Sequence, residues 1–282
     1  MSGIIRPIIV EPIKHIHKMA TVPEYFTYSR LRSQLRKLPR YQDCQVKVNS
    51  WDLLIPDAAS FLASYKEIFV DKIYQFQSEN AAPKILDIGA NVGMSVLFFK
   101  QLYPQAKITA YEADTKIFNY LQKNVRENNY HDVKLINKAV WYENTTLNFV
   151  SEGADGGHIS SGDRTQVSQE IPAIDIAEVL KTNKFEFIKM DIEGAEEFVL
   201  PRCQGLLDEV KFMFIEYHSP VDSQQCLNKL LNILSEAQFR VHICSIRDTS
   251  FAPFTDLKIS AGFDLQLNIF AWKKHSTIDN ER

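Results

Sequence analysis

KILDIGANVGMSVLFF, residues Lys84–Phe99, is followed after a further apolar run by KITAYEAD, Lys107–Asp114. The first stretch reads as a buried strand (Ile85, Leu86, Ile88), a glycine turn, and a helix carrying Met94, Val96, Leu97 and Phe98. The second reads as another strand, tipped by Glu112. Gly89 and Gly93 let the backbone approach a ligand with no side chain in the way. Glu112 stands where a carboxylate accepts hydrogen bonds from both hydroxyls of a ribose. Together they predict a site for an adenosine-containing cofactor.

What the turn lacks narrows the cofactor. A dinucleotide fingerprint needs G-x-G-x-x-G, whose middle glycine admits a pyrophosphate. Here Asn91 takes that middle place, and neither Met94 nor Ser95 supplies the last glycine. What remains is acid-x-Gly-x-x-x-Gly, with Asp87 two residues before Gly89. An acid there repels a pyrophosphate but suits a ligand bearing an ammonium and a sulfonium. S-adenosylmethionine carries both. A strand–turn–helix with an incidental acid is the plain alternative, and the second acid-tipped strand at the right distance counts against it.

The chain has 282 residues, 45% hydrophobic and 24% charged, with a net charge of −3. That is enough to bury a full α/β core, and the charge gives no reason to expect a nucleic-acid or membrane partner. The local exception is Ser29–Arg40, with Arg30, Arg32, Arg36, Lys37 and Arg40 and no acid, read as a solvated helix face ahead of a phosphate-binding arm. Cys44, Cys203, Cys226 and Cys244 form no metal-type spacing and are expected as free thiols. The first residues are broken by Arg6, Pro7, Glu11 and Pro12, which leaves no signal-peptide core, and no apolar run approaches the roughly 18 residues of a membrane helix. The expected location is the cytoplasm.

Residues 1–80 have a different texture and are read as an N-terminal extension or helical cap, with a helix over Ser60–Phe76. From 81 to 272 strands and helices alternate, the mark of a mostly parallel, doubly wound sheet. Residues 273–282 read as a polar tail. Strands are expected at Lys84–Ile88, Lys107–Tyr111, Val133–Lys138, Phe185–Met190 and Lys211–Tyr217. Phe239–Ser245 and Leu265–Trp272 should form a closing antiparallel pair at one edge. Helices are expected near Ser95–Gln101, Thr115–Asn128, Ala195–Arg202 and Ser223–Ala237. Between the third and fourth strands, polar Ser151–Glu170 holds four of the ten glycines and is read as a mobile substrate lid.

A second concentration of chemistry is FIKMDIEGAEEFVL, Phe187–Leu200, followed by FMFIEYH, Phe212–His218. In a parallel sheet, the carboxyl ends of neighbouring strands converge on one crevice. Asp87, Glu112, Asp191 and Glu216 should therefore share one rim. Helix capping explains one strand-end acid but not four.

ILDIGANVG, the strand ending YEAD, and KMDIEGAE followed by IEYH together resemble the FkbM family of S-adenosylmethionine-dependent methyltransferases, over about Lys84–Ser219 and more loosely to Trp272. The resemblance implies a Rossmann-like, seven-stranded class I methyltransferase fold whose last strand inserts antiparallel beside the sixth. It implies O-methylation, often of sugar or polyketide hydroxyls. It places Asp87, Gly89 and Gly93 beside the methionine part of the cofactor, Asn91 in the same turn, and Glu112 at the ribose, with Asp191 among the cofactor-binding residues as well. Ala113 and Asp114 fall near the adenine, closed on its other side by Lys138, Ala139 and Val140.

For the chemistry, His218, Asp191 and Glu216 are the catalytic candidates. His218 is a general base if its pKa lies near the working pH. Asp191 and Glu216 are alternatively ligands of a divalent metal that orients the acceptor. The expected partner is a small-molecule or glycan acceptor. A nicotinamide-dependent oxidoreductase and a non-catalytic scaffold stand as the other readings.

Overall fold

The computed structural model of the chain describes residues 18–19, 21–150, 158–159, 168–246 and 252–274. It forms two compact units that divide between Gln75 and Phe76.

The first unit contains helix α1 (Pro23–Leu35), strands β1 (Cys44–Val48) and β2 (Trp51–Ile55) paired antiparallel, and helix α2 (Ala58–Tyr65), which runs on as a π-turn over Lys66–Val70. Asp57 starts α2 by accepting the Ser60 N–H at 2.8 Å, and its other oxygen takes the Tyr41 N–H and Arg40 Nε, each at 2.7 Å. The helix expected to reach Phe76 stops at Val70, and Lys72 then takes a left-handed φ of 56°. The basic run is not one helix face either. Arg36 ends α1, Lys37 and Arg40 lie beyond it, and Arg40 is tied to Asp57. The apolar stripe Phe61, Leu62, Tyr65, Ile68 and Phe69 is buried core, as its spacing predicts.

The second unit holds eleven of the described strands: β3 (Lys84–Ile88), β4 (Lys107–Glu112), β5 (Lys134–Asn137), β6 (Ala139–Trp141), β7 (Thr145–Val150), β8 (His158–Ile159), β9 (Ser168–Asp175), β10 (Phe187–Met190), β11 (Phe212–Pro220), β12 (Arg240–Ser245) and β13 (Phe263–Trp272). The main sheet has seven strands in the order β5-β4-β3-β10-β11-β13-β12. The first five run parallel, and β13 lies antiparallel between β11 and β12. In β3 every residue after Lys84 is buried, and in β10 every residue is. Successive side chains face opposite sides, so both faces of these central strands are covered. β12 is exposed throughout and forms one edge.

The main-sheet strands fall within two residues of their expected starts. Helices α3 (Met94–Leu102), α4 (Thr115–Glu127) and α7 (Leu227–Glu236) also sit where the spacing put them. The helix expected over Ala195–Arg202 is a single turn, α6 (Glu196–Val199), tightened into a 3-10 turn over Leu200–Cys203 that contains Pro201. α5 (Ile176–Thr182) was not expected; Asp175 caps it by accepting the Ala177 N–H. The insertion builds a second sheet, β6-β9-β7-β8. Most of the expected lid, Ser151–Glu170, lies outside the described residues.

Candidate active site

The sheet's strand order reverses direction at β3, with β4 on one side and β10 on the other, and ligands of open α/β sheets bind outside the carboxyl ends at such a point. A cleft opens there. Gly89, Asn91, Glu112, Ala113, Asp114, Lys138, Ala139 and Asp191 all line it, as do Val140 and, from the insertion, Phe149.

The turn after β3 is shaped by the protein's own backbone. Gly89 has a φ of 84°, and a Cβ there would collide with the carbonyl oxygen of Asp191. The glycine is required by the approach of β10's exit, a constraint separate from any ligand. Gly93, φ 95°, starts α3 against Leu121 and does not line the cleft.

Glu112 ends β4 with one oxygen accepting the Asn91 N–H and the other the Asp114 N–H, both at 2.9 Å. Burial pushes its pKa up to about 7 against the pull of those two bonds. Asp114 caps α4 through the N–H groups of Lys116 and Ile117. Its carboxylate therefore does a structural job while its residue borders the cleft.

Asp87 is placed differently from its expected position. It is fully buried beneath the turn, accepts a hydrogen bond from Ser95 Oγ, and lies outside the cleft lining. Its companion is Lys189, in register on β10, with Nζ 3.6 Å from Oδ1. The same Nζ donates to the Gly89 carbonyl at 2.6 Å and lies 3.2 Å from Asp191 Oδ2. Burial disfavours this ammonium, but Asp191 and Asp87 outweigh it and hold its pKa above the ordinary lysine value. Sequence reasoning missed Lys189; its signal is a lone charge inside an apolar strand.

The other missed group is the pair Glu193 and Glu196. Glu196, 0% exposed, accepts the N–H groups of Ile192 (2.9 Å) and Gly194 (3.0 Å) and so fixes the turn after Asp191. That turn, with Glu193 at φ 54° and Gly194 at φ 96°, brings Glu193 to the cleft. His218 lies between these acids. Its Nδ1 is 3.4 Å from Glu196 Oε1, and its Nε2 is 3.4 Å from Glu216 Oε1 and 3.5 Å from Glu193 Oε2. Phe263 packs on the ring, centroids 4.9 Å apart. Burial works against a charged ring, but Glu196 and the other carboxylates hold the His218 pKa well above the ordinary imidazole value. The pKa near the working pH expected from sequence is therefore not what its surroundings give. Burial raises the pKa of Glu193, and burial together with Asp191 raises that of Glu216. Asp191, Glu193 and His218 present ligand atoms within 4.8 Å of one another; Glu216, the other metal candidate from sequence, is not in this set.

A parallel sheet with an inserted antiparallel last strand, and a cleft whose buried acid ends the second strand, define the methyltransferase class of doubly wound proteins. Residues 87–241, more than half of the chain, match the family model described as the methyltransferase FkbM domain, and the chain belongs to that S-adenosylmethionine-binding family. Methyltransferase 1 of Beauveria bassiana (strain ARSEF 2860) is 29% identical over 169 residues, 51% of this chain and 67% of that protein. Methyltransferase sdnD of Sordaria araneosa is 42% identical over 64 residues, 23% of this chain and 25% of that one, so the match spans a quarter of its length. A solved FkbM methyltransferase from Methylobacillus flagellatus KT aligns over 90% of this chain and 60% of its own, at 14% identity and a TM-score of 0.46. Membership sets aside the nicotinamide-dependent alternative. Among the described residues no helix is long and apolar enough to cross a membrane, and all four cysteines are free.

Proposed function

We propose that this chain transfers a methyl group from S-adenosylmethionine to a hydroxyl of a sugar, glycan or polyketide-type acceptor in a reducing, cytoplasmic compartment. The observation that carries the reading is the pairing of two unlike ends in one region: a cleft with a buried ribose-type acid at one side, and an imidazole among carboxylates at the other. The residues fit the cofactor. Glu112 keeps acceptor capacity toward two ribose hydroxyls beyond its backbone bonds. Ala113, Asp114, Lys138, Ala139 and Val140 all line the cleft and supply walls for an adenine. Asp191 also lines the cleft and adds negative charge that suits a sulfonium and an ammonium.

When bound, the cofactor supplies a carbon already activated toward displacement, so the protein's work is positioning and proton handling. An alcohol must lose its proton as the new bond forms. The cluster of His218, Asp191 and Glu216, with Glu193, is the group that takes it, and Glu196 holds the His218 ring in place. Glu196 acts as a positioning residue.

Supplying methyl-labelled cofactor with a panel of glycosides and hydroxylated natural products tests the reading. The expected product carries the label on oxygen, and His218→Ala lowers turnover on the order of 10²–10⁴-fold while leaving cofactor affinity intact. Label appearing on nitrogen or carbon overturns it.

A further inference from the structure

The geometry around His218 points to a divalent cation held by Asp191, Glu193 and His218 Nε2, as the device that orients the acceptor hydroxyl; this rests on the O-methylation reading above. His218 Nδ1 lies 3.4 Å from Glu196 Oε1, and Glu196 is anchored by two backbone N–H groups. With Nδ1–H directed at that carboxylate, Nε2 is the ring nitrogen that faces Glu216 and Glu193, whose oxygens stand 3.4 and 3.5 Å away. Two anionic oxygens opposite Nε2 call for a positive centre between them, a proton in the free protein or a cation that displaces it. A single proton serves one oxygen only.

The spacing of the three groups suits a cation. Ligand atoms bound at roughly 2.0–2.3 Å stand about 3–4.5 Å apart, and the three atoms offered here lie within 4.8 Å of one another. A carboxylate on the far ring nitrogen is also what metal-bound histidines have, because it sets the tautomer and the ring's orientation. Charge points the same way. Asp87, Asp191, Glu193, Glu196 and Glu216 surround two basic side chains, Lys189 and His218.

An independent observation lies on the neighbouring strand. Asn268 is opposite Glu216 in the β11–β13 register, which puts the two side chains on one face of the sheet. It is 9% exposed, and its Oδ1 is buried with no hydrogen-bond donor. Gln266, opposite His218, has a buried Oε1 in the same condition. Acceptors without donors beside an acid-rich cluster call for a donor that comes with a ligand, such as cation-bound water or the acceptor's hydroxyl. Two carboxylates and one imidazole suit Mn²⁺ better than Mg²⁺, which prefers oxygen ligands and gives up water reluctantly. In the transfer, the acceptor's O–H bond breaks as the O–C bond forms and the S–C bond of the cofactor breaks. The proton passes to Glu216, which lies outside the ligand set, and S-adenosylhomocysteine leaves neutral at sulfur.

Mn²⁺ titration of the full chain, followed by electron paramagnetic resonance, tests the site. The free-ion signal should be depleted to one equivalent. Pulsed measurements should show coupling to one directly bound imidazole nitrogen. Glu193→Gln and His218→Gln should each weaken binding roughly tenfold or more, with unchanged thermal melting of the metal-free protein as the check on folding. A full free-ion signal from the first addition at millimolar Mn²⁺, or bound Mn²⁺ without nitrogen coupling, overturns the site, and the nitrogen result needs no variant. Mn²⁺ bound as described, with methyl transfer only to nitrogen or carbon, leaves the site standing and defeats the hydroxyl reading. Undiminished O-methylation in chelator defeats the site's role and leaves that reading standing.

Discussion

Lys189 and Asp87 sit side by side in register on β10 and β3, with Nζ 3.6 Å from Oδ1 and side chains 4% and 0% exposed. The ammonium also ties down the Gly89 carbonyl, so a charge pair beneath the cleft fixes the turn that forms its floor. Lys189→Met should leave a buried carboxylate with no counter-charge and cost about 3–5 kcal/mol of stability. Adding Asp87→Asn should recover a large part of that loss in denaturant melts. A single variant as stable as the parent would remove the pair from the account.

Gly89→Ala should both destabilise the protein and abolish S-adenosylhomocysteine binding. The new methyl group would drive into the Asp191 carbonyl oxygen from a left-handed backbone. Thermal melts and calorimetry check this, and a stable, binding-competent variant contradicts the close approach of the two loops.

Glu112 carries a pH signature. Burial raises its pKa from 4.5 to about 7 in the free protein. Its contribution to stability is thus present below the unfolded value and lost as pH rises through about 7. On the proposed reading the cofactor's ribose hydroxyls donate to the ionised form, so S-adenosylhomocysteine affinity should rise as pH rises through the same window, with proton release on binding. Calorimetry in buffers of different ionisation enthalpy reads that release. Proton uptake would contradict the role given to Glu112.

Asp57 shows the opposite sign. Burial works to raise its pKa, but the Ser60 and Tyr41 N–H groups and Arg40 bring it down to about 2 from 3.8. The stability it contributes is present above the unfolded value and lost as pH falls toward about 2. Asp57→Ala should cost about 1–2 kcal/mol at neutral pH through the lost helix cap. That difference should shrink in acid melts; a constant difference would mean that the ionised cap is not what matters.

The sheet was legible wherever a continuous apolar run met a turn residue. Lys84–Ile88 is the clearest case, since a strand buried on both faces shows little else. Boundaries failed where one residue's geometry decided them. The helix over Ser60–Phe76 ends early at a π-turn, and the turn after Asp191 leaves room for only four α-helical residues before Pro201. The cleft residues were readable because glycines and a strand-end acid mark them locally. The Glu196–His218–Glu193 arrangement was not, although every member stands in a quoted motif. Which acid meets which ring nitrogen depends on strand register and on the tight turn at Gly194, and neither is a property of a short string. Lys189 was hidden for the same reason, because only the β3–β10 register shows that it faces Asp87.

The most direct test of the cofactor assignment is calorimetric titration of the purified chain with S-adenosylhomocysteine and, separately, with NAD, repeated on Glu112→Ala. The expected result is binding of the first, none of the second, and a loss in the variant on the order of 1.5–3 kcal/mol for each charge-assisted hydrogen bond removed. Binding of NAD, with the same affinity in Glu112→Ala as in the parent, would contradict it.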